Sequence, residues 1–246
     1  HGISRAVLSL FWQDLLMGTT TRSKRAENRA AMEAEIRRLG REQLTTYGAA
    51  GLSLRAIARD LGVVSSAVYR YVPSRDDLLT LLVVEAYTDL ADTVDAAAAA
   101  DGTNRERILA MALAVRRWAV ADPARWALLY GSPVPGYAAP AEQTVGPGTR
   151  VVGAVLRQLS DAYDASALRT DIDCPTTVST AEMDAIGTEF DLRLPPGQML
   201  AATTIWATLI GAVSLEVFGQ YGADTFTDPE SLFAAQIDLA LSHLFA

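Results

Sequence analysis

Residues 52–72, LSLRAIARDLGVVSSAVYRYV, gather hydroxyl, phenol and guanidinium groups at helical spacing. Ser65 and Ser66 open the second helical piece of this stretch, where hydroxyls and free backbone N–H groups suit phosphate oxygens or base edges. Arg70 carries a forked donor that fits O6 and N7 of guanine. These groups recognise a polyanion; they do not break bonds. Catalysis has poorer material. The two histidines, His1 and His243, lie near the termini, and Cys174 is the single cysteine. Ser/His/Asp, Cys/His and HExxH chemistry therefore have no candidates, and neither does a disulfide or a Cys/His metal site. We expect no catalytic residue, no metal and no cofactor. A helical enzyme using Asp161, Tyr163, Asp164 or Glu216 as acid and base stands as the alternative, without a carboxylate pair whose spacing demands a site.

Positioning those side chains takes two short helices that cross closely around a sharp turn. Ala58 is the small residue such a crossing needs, and Gly62, four residues on, tolerates the positive φ of the turn. Ile57, Leu61, Val63 and Val68 are left to form a small shared core. This is a helix-turn-helix pattern over residues 53–61 and 65–71, with the second helix offered to the major groove. An earlier helix, begun near Asn28, carries Met32, Ile36, Leu39 and Leu44 on one face. Ser74 caps the next one, where Asp76 and Asp77 favour the N-terminal dipole and Leu79, Val83, Tyr87, Leu90 and Val94 share a face. Thr103 with Glu106, Asp122 with Pro123, Ser179 with Glu182, and Asp228 with Pro229 mark further helix starts. Residues 132–149 hold four prolines and three glycines and read as a loop. No strand and no internal repeat is expected. The fold class is all-α, a helix-turn-helix head followed by a larger helical body.

Charge separates the same two parts. The net charge is -8 over 246 residues. Residues 17–80 carry eleven basic against seven acidic side chains, whereas nine arginines face twenty-one acids from residue 81 onward. A basic head on an acidic body suits a head that meets DNA, and argues against an architectural DNA binder, which would be basic throughout. Residues 1–21 are set aside as an extension, residues 22–73 are expected to form the DNA-binding domain and residues 74–246 the body. Residues 198–215 are uncharged, but Glu216 follows directly and no Lys/Arg cluster flanks them. We read a helix buried by a partner rather than a membrane span. The location expected is the cytoplasm.

Residues 51–79, GLSLRAIARDLGVVSSAVYRYVPSRDDLL, resemble the TetR family of bacterial transcriptional repressors, with the match strongest over residues 28–90. Trp206 and Gly211 are also similar to a Trp-His-Gly signature of one subgroup, Ile210 standing where its histidine would be. The resemblance implies that Ser53, Arg55 and Arg75 contact backbone phosphates and that Tyr69 and Tyr71 face DNA. Arg22, Lys24 and Arg25 form a basic arm suited to the minor groove. Plain alternatives stand beside these roles: Ser53 as a helix cap, Tyr69 as core, Arg59 and Arg70 as solvated charges.

The resemblance further implies that residues 74–246 are a ligand-binding and dimerisation domain and that the protein is a homodimer on a palindromic operator, with half-sites roughly 34 Å or a multiple apart. Residues 196–221 and 228–245 would pair across the dimer, Ala207, Gly211 and Ala212 permitting close approach. A pocket in the body would take a small hydrophobic or aromatic effector that releases a repressor from DNA; the alternative within the same family is an activator without a small-molecule ligand. Its candidate lining is Met111, Trp118, Trp126, Tyr130, Tyr137, Tyr163, Met183 and Trp206, with Arg116 or Arg117 as polar orienting groups. The bland reading makes each of these plain core.

Overall fold

The computed structural model describes residues 5–222 and 224–245, with side chains from residue 24. The described residues form ten α-helices joined by turns and loops and contain no strand; the sole β-type pairing among them is an isolated bridge between Leu168 and Phe245. The contacts divide the chain into two compact units, His1–Leu82 and Val83–Ala246.

In the first unit, α1 (Arg5–Tyr47) leads through a single 3-10 turn (Ala49–Gly51) to α2 (Leu54–Asp60) and α3 (Ser65–Tyr69). Helix α1 starts well before Asn28: residues 5–27 contain no proline and one glycine, so nothing local stops the helix. Its buried face carries Ile36, Leu39, Gln43 and Leu44. The α2–α3 turn closes as the pattern requires. Gly62 has φ 67°, its N–H reaches Arg59 O at 3.0 Å, and Val63 N–H reaches Ala58 O at 3.0 Å. These paired bonds satisfy the last carbonyls of α2, and the left-handed residue costs least when it is glycine. Ile57, Ala58 and Val68 are buried as expected; Leu61 and Val63 are only half-buried, and Leu54 and Val72 complete the core instead.

Helix α4 (Arg75–Ala98) carries residues of both units. Ser74 Oγ accepts the N–H of Asp77 at 3.1 Å and so caps it. The second unit continues with α5 (Asn104–Ala121), α6 (Pro123–Tyr130), α7 (Ala141–Asp164), α8 (Thr180–Glu189), α9 (Pro196–Val217) and α10 (Pro229–Ser242). Thr103 and Glu106 form a complete capping box, and Asp122, Ser179 and Asp228 each accept the backbone N–H three residues on.

Three expectations need correction. The proline-rich segment is a loop only to residue 140, because α7 takes in Pro147 and both neighbouring glycines. Proline in a helix leaves a carbonyl without a donor and crowds the preceding turn. The carbonyl deprived by Pro147 is that of Gln143, four residues back; beside it Thr149 Oγ1 donates to Val145 O at 2.9 Å, and Gly148 lets the Tyr87 ring lie 3.4 Å from where a Cβ would stand. The apolar helix α9 ends at Val217, not at residue 221, because Gly219 adopts φ 68° and Gln220 N–H closes onto Leu215 O at 2.8 Å. The last helix ends at Ser242; Leu244 O instead accepts the N–H of Arg169 at 2.9 Å.

Candidate nucleic-acid interface

The first unit presents one helix edge-on to solvent. Along α3, Val68 is 1% exposed and anchors the helix, whereas Ser66, Tyr69 and Arg70 recur at spacings of three and four and are all exposed. Tyr69, at 41% exposure, is therefore not a core residue. Ser65 and Tyr71 are half-buried, and Tyr71 lies under the Arg29 guanidinium, 5.4 Å from its ring centre. Arg70 follows the last residue of α3, in helical conformation, so the recognition helix is shorter than residues 65–71.

Two of the proposed phosphate ligands are held by the fold itself. Ser53 Oγ accepts the N–H of Ala56 at 3.3 Å, which makes it the cap of α2. Ser53 N–H in turn donates to Gln43 Oε1 at 2.9 Å, and Gln43 Nε2 donates back to Ser53 O at 3.5 Å. Gln43, buried on α1, thus fixes where α2 begins. Sequence reasoning missed it; the available signal was a single amide on an otherwise apolar stripe. Arg75 Nη2 donates to Ala49 O at 2.8 Å and Nη1 to Asp76 Oδ1 at 3.3 Å, so this arginine is partly committed within the unit.

Arg55 is exposed in the first turn of α2, and Lys24 and Arg25 are exposed on α1, which is helical through the segment read as an arm. The side chain of Arg22 lies outside the described residues. Among the described residues no salt bridge occupies Arg55, Arg59 or Arg70. Other arginines are paired, among them Arg29, Arg38 and Arg75 of the first unit, though Arg107 and Arg117 of the second donate only to backbone carbonyls. In the second unit Arg105, Arg116, Arg125, Arg150 and Arg169 all meet carboxylates within 3 Å.

That second unit uses most of the proposed ligand-lining residues to build its own core. Met111 and Trp126 are fully buried and Trp118 is 8% exposed. The indole N–H of Trp118 donates to Asp89 Oδ2 at 2.8 Å, and that of Trp126 to Ser214 Oγ at 3.3 Å. Tyr130 stacks on Trp126 with ring centres 4.4 Å apart and meets Tyr87 edge-on at 6.2 Å. Burial pushes both tyrosine hydroxyls above their ordinary pKa, so both stay protonated donors at neutral pH. Tyr163, Met183 and Trp206 are half-buried against the same core, with Ile210 beside them, while Tyr137 is half-buried in a turn. Arg116 is not available to orient a ligand. Its Nε and Nη2 grip Glu216 at 2.8 and 2.6 Å, and its Nη1 binds Glu230 at 2.7 Å, joining α5 to α9 and α10. Arg117 is exposed and donates to Leu113 O.

Helix α9 is apolar and long enough to cross a membrane by length and composition, yet only 28% of its most apolar window is buried within the chain. Its uncovered side borders α10 in an open groove of about 490 Å³, lined by Thr204, Ala207, Thr208, Gly211, Leu215, Leu239 and His243 among others.

A helix-turn-helix with free arginines, followed by a larger helical domain, defines a DNA-binding transcriptional regulator. Residues 36–82 match the family described as bacterial regulatory proteins, tetR family, and residues 108–240 match the tetracyclin repressor-like C-terminal domain. The HTH-type transcriptional regulator Rv1816 of Mycobacterium tuberculosis is 52% identical over 224 residues, covering 90% of this chain and 95% of the relative. Among solved structures, a crystal structure of SCO4313, described as a regulatory protein, is similar at 32% identity and TM-score 0.72, covering 88% of this chain and 98% of the other. FadR from Bacillus subtilis, solved in complex with stearoyl-CoA, shares the fold at TM-score 0.61 and 14% identity, with coverage of 85% and 98%. The chain belongs to the tetR family of bacterial transcriptional regulators.

Proposed function

We propose that this regulator is a ligand-responsive repressor that binds a palindromic operator as a homodimer and is released by a small hydrophobic or aromatic effector. The observation that carries the DNA-binding role is where the head's unpaired arginines stand. Arg55, Arg59 and Arg70 have no carboxylate partner among the described residues and lie on the helix-turn-helix with the exposed Ser66 and Tyr69, whereas Arg29, Arg38 and Arg75 of the same unit are paired. Unpaired guanidiniums on a helix-turn-helix gain a partner when they replace phosphate counterions. Arg55, Ser53 and Arg75, with Arg22, Lys24 and Arg25 on α1, take phosphates; Ser65, Ser66, Tyr69, Arg70 and Tyr71 face the groove.

A single head contacts too little DNA to find one site in a genome, so two heads are needed. The uncovered apolar side of α9, with α10 beside it, is the surface that pairs them. Half-buried Tyr130, Tyr137, Tyr163, Met183 and Trp206 supply adaptable apolar walls for the effector, with Met111, Trp118 and Trp126 behind them. That FadR, which shares this fold, was solved in complex with stearoyl-CoA supports an apolar effector class. Effector binding is read out along α4, the helix that carries residues of both units, and a coupling of about 1–3 kcal/mol gives a 5- to 150-fold change in operator affinity. The protein acts in the cytoplasm.

The test is a titration of full-length protein against duplexes spanning the DNA that flanks its own gene, in excess unrelated competitor. Binding to a palindromic segment that survives competition is expected. Binding no tighter than to competitor across those flanks and across genomic fragments would overturn the assignment.

A further inference from the structure

Resting on the DNA-binding reading above, we infer that Val64 is a base-reading residue of this regulator, and that it packs against the C5-methyl group of a thymine in each operator half-site. Val64 stands between the turn and α3 with 72% of its surface exposed, the highest value for a large apolar side chain among the described residues. The turn does not need a valine. Such positions favour glycine, asparagine, aspartate or serine, whose side chains bond locally or stay in water, and Gly62 already supplies the only left-handed residue there. Nor does the core use it, since Ile57, Ala58 and Val68 fill that role.

The backbone holds this side chain still. Val63 N–H is bound to Ala58 O at 3.0 Å, Val64 sits in extended conformation at φ -69° and ψ 144°, and its carbonyl accepts the N–H of Ala67 at 2.9 Å. A β-branched side chain on a pinned backbone has little rotamer freedom left to lose on binding. Its neighbours narrow the partner. Val64 adjoins Ser65 and Ser66, and the exposed Tyr69 and Arg70 lie on the same short helix, so the apolar point is set among groups suited to phosphates and base edges. One valine amid polar and cationic groups is too small for a protein interface, which needs hundreds of Å² of apolar surface per partner. In the major groove the thymine methyl is the one apolar feature that distinguishes a base, and it takes contacts from small apolar side chains.

The experiment begins with full-length protein selecting its site from a random-sequence duplex library. The selected duplex is then resynthesised with deoxyuridine in place of each thymidine, a change that removes only the methyl group. We expect one thymine per half-site whose replacement weakens wild-type binding about fourfold, or about fifteenfold when both half-sites are changed, the value of one buried methyl-sized contact each. Val64→Ser is expected to bind the thymine and uracil duplexes within about twofold of one another, while Val64→Ile keeps the wild-type discrimination. The exposure of Val64 predicts unchanged melting for Val64→Ile, and its place as the uncapped N-cap of α3 predicts melting no lower than wild type for Val64→Ser, so lost discrimination cannot be ascribed to unfolding. A selected site in which no thymine methyl matters, or a Val64→Ser variant that discriminates as wild type does, would overturn the inference. A library from which nothing is enriched would instead overturn the DNA-binding reading beneath it.

Discussion

Gln43 Oε1 accepts the backbone N–H of Ser53 at 2.9 Å, so a buried amide on α1 sets the first residue of the helix-turn-helix. Replacing Gln43 with leucine keeps the apolar packing but strands the Ser53 N–H. The expected cost is about 1–3 kcal/mol, read as a lower urea midpoint for the head with DNA binding lost in parallel. An unchanged midpoint would show that water replaces the amide at no cost.

Gly62 isolates a different term. No atom lies within 4 Å of where its Cβ would be, and its φ is 67°. Gly62→Ala therefore meets no clash and pays for backbone alone, about 1–2 kcal/mol, with Gly62→Asn closer to wild type. Thermal melts of the three proteins check the order.

Arg116 ties α5 to both α9 and α10 through Glu216 and Glu230. Its side chain is 8% exposed and that of Glu216 17%, so Arg116→Met leaves a largely buried carboxylate unpaired and destabilises the body by about 3 kcal/mol. Changing Glu216 to leucine as well is expected to restore most of that loss, since an apolar pair replaces an ion pair at little cost. Chemical denaturation of the single and double variants decides it; a double variant no better than the single would mean that the ion pair is not the source of the loss.

The elements that were legible in the sequence are those specified locally. The caps at Thr103, Asp122, Ser179 and Asp228, and the turn at Gly62, each follow from residues three or four apart. Residues 141–149 escaped because Pro147 and its glycines argue locally against a helix, while the contact of Gly148 with Tyr87 on α4 is specified from far along the chain. Gln43 escaped for the same reason, since its partner Ser53 lies across the helix pair. The body was the least legible part. Residue type cannot distinguish a tryptophan that lines a pocket from one that, like Trp118 or Trp126, is buried with its N–H satisfied by Asp89 or Ser214. Nor does it reveal that Arg116 is consumed by two glutamates.

Leu239 tests the pairing surface. It is 64% exposed on α10 at the edge of the groove beside α9, so an aspartate there costs the monomer little but places a charge in the interface of the proposed dimer. Sedimentation of Leu239→Asp is expected to show a monomer, with dimerisation weakened at least about a hundredfold and operator binding lost at matched concentration. A dimer of wild-type strength would move the pairing surface away from α9 and α10.

The central claim is that Arg55, Arg59 and Arg70, left without carboxylate partners among the described residues of the helix-turn-helix, pair with DNA. Operator affinity measured as a function of salt for wild type, Arg55→Ala and Arg70→Ala tests it most directly. The account predicts a steep fall of log affinity with log salt for the wild type and a slope shallower by about 1 for Arg55→Ala. Arg70→Ala is predicted to lose about 1–3 kcal/mol of preference for the operator over a duplex altered at the guanine it reads. Affinity independent of salt, or three proteins with the same slope and the same preference, would contradict it.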